Sequence, residues 1–270
     1  MTKAFIDTTI ITDILLNSGP VKNKALIALR SFESTSLPVY AIKEFKAGPL
    51  ANFKYFHNKL VQSNSIDTAL NALQRLSRTP QKHKTATSIQ ALRQTLKVSI
   101  SKQTPATLAK KYGENASISK ILFDEMRLSL STIINKAWKL RRDVTSEVVM
   151  PLSCYRETPP YKKRGLIEFD SDCFENKCSV CIEMQKRPND LNKMREAIKD
   201  SPKLENQKRS KVLREMYRKP KDVISNSDCR NLGDAVFVFF APPTDTILTT
   251  NLQDFNPIAN ALGKKVASPC

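Results

Sequence analysis

Asp7, Glu44, Asp234, Asn251 and Asp254 are acids or amides placed where an apolar run ends or a helical stretch opens. Asp7 follows Lys3-Ala4-Phe5-Ile6, and Asn251 follows Ile247-Leu248-Thr249-Thr250, with Asp254 three residues on. Glu44 and Asp234 fall on opening helical turns that can face the same edge. Clustered carboxylates repel one another, so such a group calls for a cation. An all-oxygen set suits Mg²⁺ or Mn²⁺. One or two such ions can activate a water and stabilise the leaving oxygen in phosphodiester hydrolysis. Each residue also has an ordinary use: Asp7 as a helix N-cap, Glu44 on an exposed helix face, Asp234 as a surface acid, Asn251 and Asp254 in a turn. Asp228, next to Ser227, reads as first-turn helix chemistry or as an outer member of the site.

The elements that must position these residues lie at the two ends of the chain. Lys3–Ile6 reads as a short buried strand, and Thr8–Leu16 as a helix with Ile10, Ile11, Ile14 and Leu15 on one stripe. A helix over Asn23–Phe32, a strand over Leu37–Tyr40 and a helix opening at Ala41 follow. Near the other end, the pattern predicts a helix capped by Ser227 and running to Phe240, a strand over Thr246–Thr249 and a last strand at Lys265–Ala267. Strands alternating with helices imply an α/β fold with a parallel sheet, whose strand carboxyl ends converge on a ligand crevice. Between the ends the periodicity is helical, over Ala51–Val61, Ser65–Leu76, Thr87–Ile100 and Ser117–Leu140, then Leu191–Lys199 and Leu204–Tyr217.

Four stretches, Phe5-Ile6-Asp7-Thr8-Thr9, Ile42-Lys43-Glu44-Phe45-Lys46-Ala47-Gly48, Leu232-Gly233-Asp234-Ala235-Val236-Phe237 and Ile247-Leu248-Thr249-Thr250-Asn251-Leu252-Gln253-Asp254-Phe255, resemble the four motifs of PIN-domain ribonucleases. The nearest flavour is the VapC-like toxins of bacterial toxin–antitoxin pairs. The resemblance implies a PIN-like α/β/α sandwich with a central parallel sheet, a Mg²⁺ or Mn²⁺ site and endonucleolytic cleavage of RNA. It makes Asp7, Glu44 and Asp234 the metal-holding acids and puts Asn251 where a fourth acid often sits, with Asp254 assisting. Thr8 or Thr9 would orient a metal-bound water. A toxin or defence role, with a cognate inhibitor or antitoxin, follows from the resemblance alone. It covers about 95 residues at the two ends, and the middle of the chain has no counterpart in the compact toxins. The expected organisation is therefore residues 1–50 and 226–270 as the two parts of the PIN domain, interrupted by a large, mostly α-helical insertion over 51–225.

Charge divides the same way. Residues 51–225 hold 35 Lys/Arg against 18 Asp/Glu, whereas the two ends together hold 9 against 8. A one-signed field confined to one region attracts polyanions, RNA first among them. The candidate phosphate contacts are Lys139, Arg141, Arg142, Lys162, Lys163, Arg164, Lys208, Arg209, Lys211 and Arg214. Two rival readings stand beside the ribonuclease: a non-catalytic RNA- or protein-binding protein on a degenerate PIN frame, and a DNA or flap nuclease.

Residues 151–188 break the helical pattern and hold Cys154, Cys173, Cys178 and Cys181, with gaps of 18, 4 and 2 residues. The closing Cys-x-x-Cys has zinc-knuckle spacing, so the four read either as a structural Zn²⁺ site or as free thiols. Other chemistries find little footing. With only His57 and His83, 26 residues apart, neither a His-based metal site nor a Ser-His-Asp triad is supported, and no glycine-rich phosphate loop appears. No apolar run approaches the ~20 residues a membrane span needs. The first residues lack a signal-peptide layout, so a cytoplasmic protein is expected.

Overall fold

The computed structural model describes residues 2–63, 65–77, 104–113, 115–149, 155, 157–169, 179–219 and 224–269. In chain order its elements are β1 (Lys3–Ile6), α1 (Thr8–Leu15), α2 (Pro20–Arg30), β2 (Ser34–Pro38), α3 (Val39–Phe45), a π-helical turn (Lys46–Leu50), α4 (Ala51–Ser63) and α5 (Ile66–Ser77). There follow α6 (Pro105–Tyr112), α7 (Ile118–Leu140), β3 (Glu147–Val149), β4 (Tyr161–Lys163), β5 (Leu166–Glu168), α8 (Ser179–Gln185), α9 (Pro188–Ile198) and α10 (Leu204–Arg218). The chain closes with α11 (Asn226–Leu232), α12 (Asp234–Phe240), β6 (Thr246–Leu248), α13 (Leu252–Ala261) and β7 (Lys265–Ala267). None of the described helices is long and apolar enough to cross a membrane. The expected helix over Thr87–Ile100 lies outside the described residues.

The chain forms two compact units. The first comprises Met1–Phe45, Arg141–Glu157 and Ser171–Cys270. It is built on a five-stranded sheet, order β3-β2-β1-β6-β7, with every pairing parallel. Phe5 stands opposite Ser36 on one side and Ile247 on the other. Helices flank this sheet, an arrangement compatible with an α/β/α sandwich. Its strands are short; the central β1 and β6 bury apolar residues on both faces, while the edge strands β3 and β7 are only half-buried. Phe5, Ile6, Leu37, Ile247 and Leu248 pack with Ile10, Ile11, Phe45, Phe237 and Phe255, all at most 1% exposed. Because β2 and β3 lie on one side of β1 and β6 and β7 on the other, the chain's winding reverses between β1 and β6. Ligand crevices open at such a switch, beyond the strands' carboxyl ends.

The second unit comprises Lys46–Leu140 and Thr158–Asp170. Phe53, Phe56 and Leu60 of α4 and Met126, Leu130 and Ile134 of α7 are buried there. The helix α6, which the periodicity does not signal, is bounded by ordinary punctuation: the Thr104 side chain caps it, Pro105 starts it and Gly113, at φ 85°, ends it. The antiparallel pair β4–β5 turns through Arg164 and Gly165, at φ 51° and 79°. Two consecutive positive-φ residues suit a tight hairpin connection. The amide of Asn58 donates to Ile167 O and accepts from Ile167 N, both at 2.9 Å, closing the hairpin's free edge.

Several boundaries differ from the sequence reading. The second strand runs over Ser34–Pro38, leaving Tyr40 in α3, where α3's packing outweighs the β-propensity of Val-Tyr. The expected helix from Ser227 to Phe240 is two helices: Ser225 caps α11, and Gly233, at φ 39°, breaks the chain before α12. The stretch from Glu147 to Glu168 contributes β3 to the main sheet and a hairpin to the second unit; three-residue strands carry too little alternation to be read. The units also cut the chain otherwise than at 50 and 225. The basic helices α9 and α10 fall in the sheet-bearing unit.

Candidate active site

Asp7 sits at the switch point. Its backbone N–H donates to Leu248 O at 3.0 Å, tying the end of β1 to β6. It also caps α1: Oδ1 accepts from Thr8 N at 2.6 Å. Its other oxygen accepts from Thr9 Oγ1 and from Thr249 Oγ1, each at 2.7 Å. The residue is 3% exposed. Burial pushes its pKa up, and the hydroxyl and amide donors only partly offset that.

Glu44, near the end of α3, meets this group through Thr8, whose hydroxyl donates to Oε2 at 2.5 Å. Burial, then the charge of Asp7 and, more weakly, that of Asp234, raises its pKa to about 8. Asp234 opens α12, where the helix N-terminus favours a carboxylate. Burial lifts its pKa to about 6, with Arg209 pulling it back down and Asp7 and Asp254 raising it. Glu44 thus feels both Asp7 and Asp234, and Asp234 feels Asp7, so the three lie within electrostatic reach of one another. Tyr40 lies against the same group, its phenol donating to Cys229 O at 2.9 Å, and burial, Cys229, Glu44 and Asp234 together push its pKa well up.

Asn251 and Asp254 stand at the start of α13. Asn251 N donates to Thr249 Oγ1 at 3.0 Å, and Thr250 N donates to Thr9 Oγ1 at 3.2 Å. The strand-end threonines thus lace β6 to α1 around Asp7. Burial works to raise the Asp254 pKa, but hydrogen bonds from Lys203, whose Nζ lies 2.7 Å from Oδ1, and from Asn251 bring it below its usual value. Asp228 bonds with Ser225 and is first-turn capping chemistry.

The donor set is wholly oxygen, which fits a hard divalent cation. Glu44 Oε1 and Asp234 Oδ1 make no hydrogen bond among the described residues. Asp7, Glu44 and Asp234 would hold the ion, yet among the described residues no three His, Cys, Asp or Glu stand in a metal-holding group as they lie. Of the four cysteines read as a zinc set, Cys154, Cys173 and Cys178 lie outside the described residues, and Cys181 is buried on α8, its sulfur accepting from Gln185 Nε2 at 3.2 Å.

The candidate phosphate contacts separate into two kinds. Lys139, Lys162, Lys163, Arg164, Lys208, Lys211 and Arg214 are exposed. Lys162, Lys163 and Arg164 crown the hairpin, while Lys211, Arg214 and Arg218 line the outer face of α10 at helical spacing. Arg214 and Arg218 also border a groove of about 510 Å³ with Glu215 and Lys219. Arg141 and Arg142 both bind Glu157, at 2.7 and 2.9 Å. Arg209 is the correction. It is 5% exposed and points inward, donating to Leu232 O at 3.1 Å, Asn206 Oδ1 at 2.8 Å and Asp234 Oδ2 at 2.7 Å. It lies half a turn away from the outer stripe, among Val212, Leu213 and Met216.

Sequence reasoning missed Thr249, Tyr40, Lys203 and Asn206. Threonine at a strand end reads as β-propensity, and lysine in a charged stretch reads as a solvated face. The signal for Arg209 was present: with Val212, Leu213 and Met216 it falls on the apolar stripe of α10. No family model matches the chain, and neither a curated protein nor a solved structure matches it.

Proposed function

We propose that the protein is a Mg²⁺- or Mn²⁺-dependent endoribonuclease whose acidic site is Asp7, Glu44 and Asp234, with Asn251 and Asp254 beside them. The observation that supports it most is convergence. Three acids from distant parts of the sequence meet at the carboxyl edge of a parallel sheet, and Glu44 is raised to about 8 by burial and by its acidic neighbours. Buried carboxylates this mutually repulsive are a common mark of functional sites. The divalent ion would supply charge neutralisation and water activation. The chain's own residues supply the rest: Thr8, Thr9 and Thr249 hold the carboxylates in place, and the basic surfaces hold the polyanion. Structured RNA, tRNA among it, is the proposed substrate, with a toxin or defence role and a cognate inhibitor as the wider reading.

The test is incubation of total RNA with the protein and Mg²⁺ or Mn²⁺, followed by mapping of the new ends. Asp7→Asn and Asp234→Asn are expected to abolish metal-dependent cleavage while leaving RNA retention unchanged. Cleavage undiminished in both variants overturns the assignment. Labelled DNA in parallel decides between an RNase and a flap-type DNase.

A second reading, a non-catalytic RNA-binding protein, is favoured by one specific pairing: the guanidinium of Arg209 already holds Asp234. The amide of Asn251, where the resemblance puts an acid, leans the same way. Steeply salt-dependent RNA retention with no cleavage in Mn²⁺ would establish it.

A further inference from the structure

Two cations reach the acidic group from one segment, the linker into α10 and α10 itself. Lys203 binds Asp254 and Arg209 binds Asp234, each at 2.7 Å. They differ in kind. Lys203 is 40% exposed at its side chain, whereas Arg209 is 7% exposed and engages three partners at once. Asn206, the partner of its Nη1, is itself buried and donates to Ser201 Oγ at 3.0 Å, so the guanidinium has its own orienting support. A chain of Ser201, Asn206, Arg209 and Asp234 thus runs from the surface to the acids. A long cation on the apolar stripe of a helix costs desolvation that only a well-made pairing offsets. Its position has a purpose beyond surface charge.

We infer that Arg209 is a resident counter-ion of the acidic site, a positioning residue that neutralises and orients Asp234 so that the carboxylates fold together without a metal ion. Resting on the reading of these acids as a divalent-cation site, this defines how the site is regulated. Arg209 stabilises the metal-free state and, by the same charge, lowers the site's affinity for a divalent ion. With Oδ2 held by Arg209, Asp234 keeps Oδ1 for an incoming ligand. Loss of the arginine leaves an uncompensated carboxylate beside Asp7 and Glu44, which a divalent ion then neutralises instead.

The experiment uses the full chain as wild type, Arg209→Met, Arg209→Lys and the double variant Arg209→Met/Asp234→Asn. Each is melted in EDTA and in Mn²⁺, and Mn²⁺ binding is followed by the loss of its free-ion electron paramagnetic resonance signal. In EDTA, Arg209→Met is expected to melt several degrees below wild type, and Arg209→Lys between the two. The double variant is expected to recover most of the loss, because neither charge remains. Arg209→Met should bind Mn²⁺ about ten-fold more tightly than wild type and gain more Tm from it. A purely structural arginine would give a melting loss that neither Mn²⁺ nor Asp234→Asn relieves, and that result overturns the proposal. If wild type and Arg209→Met both leave the Mn²⁺ signal unchanged, the divalent-cation reading fails. The double variant still decides whether Arg209 neutralises Asp234.

Discussion

Glu44 is the residue on which pH acts most plainly. Its folded pKa of about 8 stands above the ordinary value of 4.5, because burial and then Asp7 disfavour its charge. Between those limits the native state keeps a proton that the unfolded chain has released, so stability falls as pH rises. Glu44's contribution is therefore complete below about 4.5 and is lost as pH climbs through 8. In metal-free buffer, urea denaturation of the wild type is expected to show a smaller unfolding free energy at pH 8 than at pH 5. Glu44→Gln keeps the acceptor for the Thr8 hydroxyl and removes the titration, so it should shrink that difference by a few kcal/mol. A difference of the same size in the variant would remove Glu44 as its source. The acid itself was legible in the sequence as one of four motif positions. Its neutralised state was not, since it depends on Asp7 and Asp234, which lie far away along the chain.

Among the elements, α12 shows how an apolar run is made to carry a site. Ala235 to Phe239 are all buried, so both helix ends need partners from elsewhere. At the C-terminal end, Lys264 Nζ donates to the carbonyls of Val238, Phe239 and Ala241, and burial lowers its pKa to about 8. At the N-terminal end, Gly233 turns the chain at φ 39° and places Asp234 against Arg209. A Cβ at Gly233 would meet Arg230 O at 3.2 Å in a conformation that L-residues rarely adopt. Gly233→Ala should therefore destabilise the fold by about 1–2 kcal/mol, read as a lower urea midpoint at unchanged m-value. A midpoint within error of wild type would show that the turn relaxes freely. The sequence displayed the apolar run and the acid before it, but a continuous helix from Ser227 fitted the same pattern. Only the turn between α11 and α12 makes Gly233 a break.

For the whole molecule, the division of charge follows the compact units more sharply than it follows the chain's middle and ends. The unit of 46–140 and 158–170 holds 19 Lys/Arg against 6 Asp/Glu, whereas the sheet-bearing unit holds 25 against 20. Polyanion affinity from such a surface comes by counter-ion release and falls steeply with salt. The hairpin tip is a clean place to test it, because Lys162, Lys163 and Arg164 are exposed. Replacing all three by Gln is expected to weaken RNA binding across sequences. The slope of log K against log salt should fall by about 2 to 3, measured by filter retention from 50 to 200 mM salt. An unchanged slope would place the contact elsewhere on the molecule.

The sequence by itself determined the parallel α/β frame, the strands that precede Asp7 and Asn251, the helix bearing Glu44, and the positive excess. Each is written in local periodicity, in a helix cap or in residue counts, none of which needs a distant partner. Tertiary structure alone decided that α9 and α10 fall in the sheet-bearing unit, that a three-residue strand at Glu147–Val149 completes the sheet, and that Arg209 faces inward. Those outcomes rest on contacts between residues 25 to more than 100 positions apart. A lysine-rich stretch looks the same in sequence whether its arginine meets water, a phosphate or a buried carboxylate; the packing of α10 against α11 and the start of α12 makes it the carboxylate.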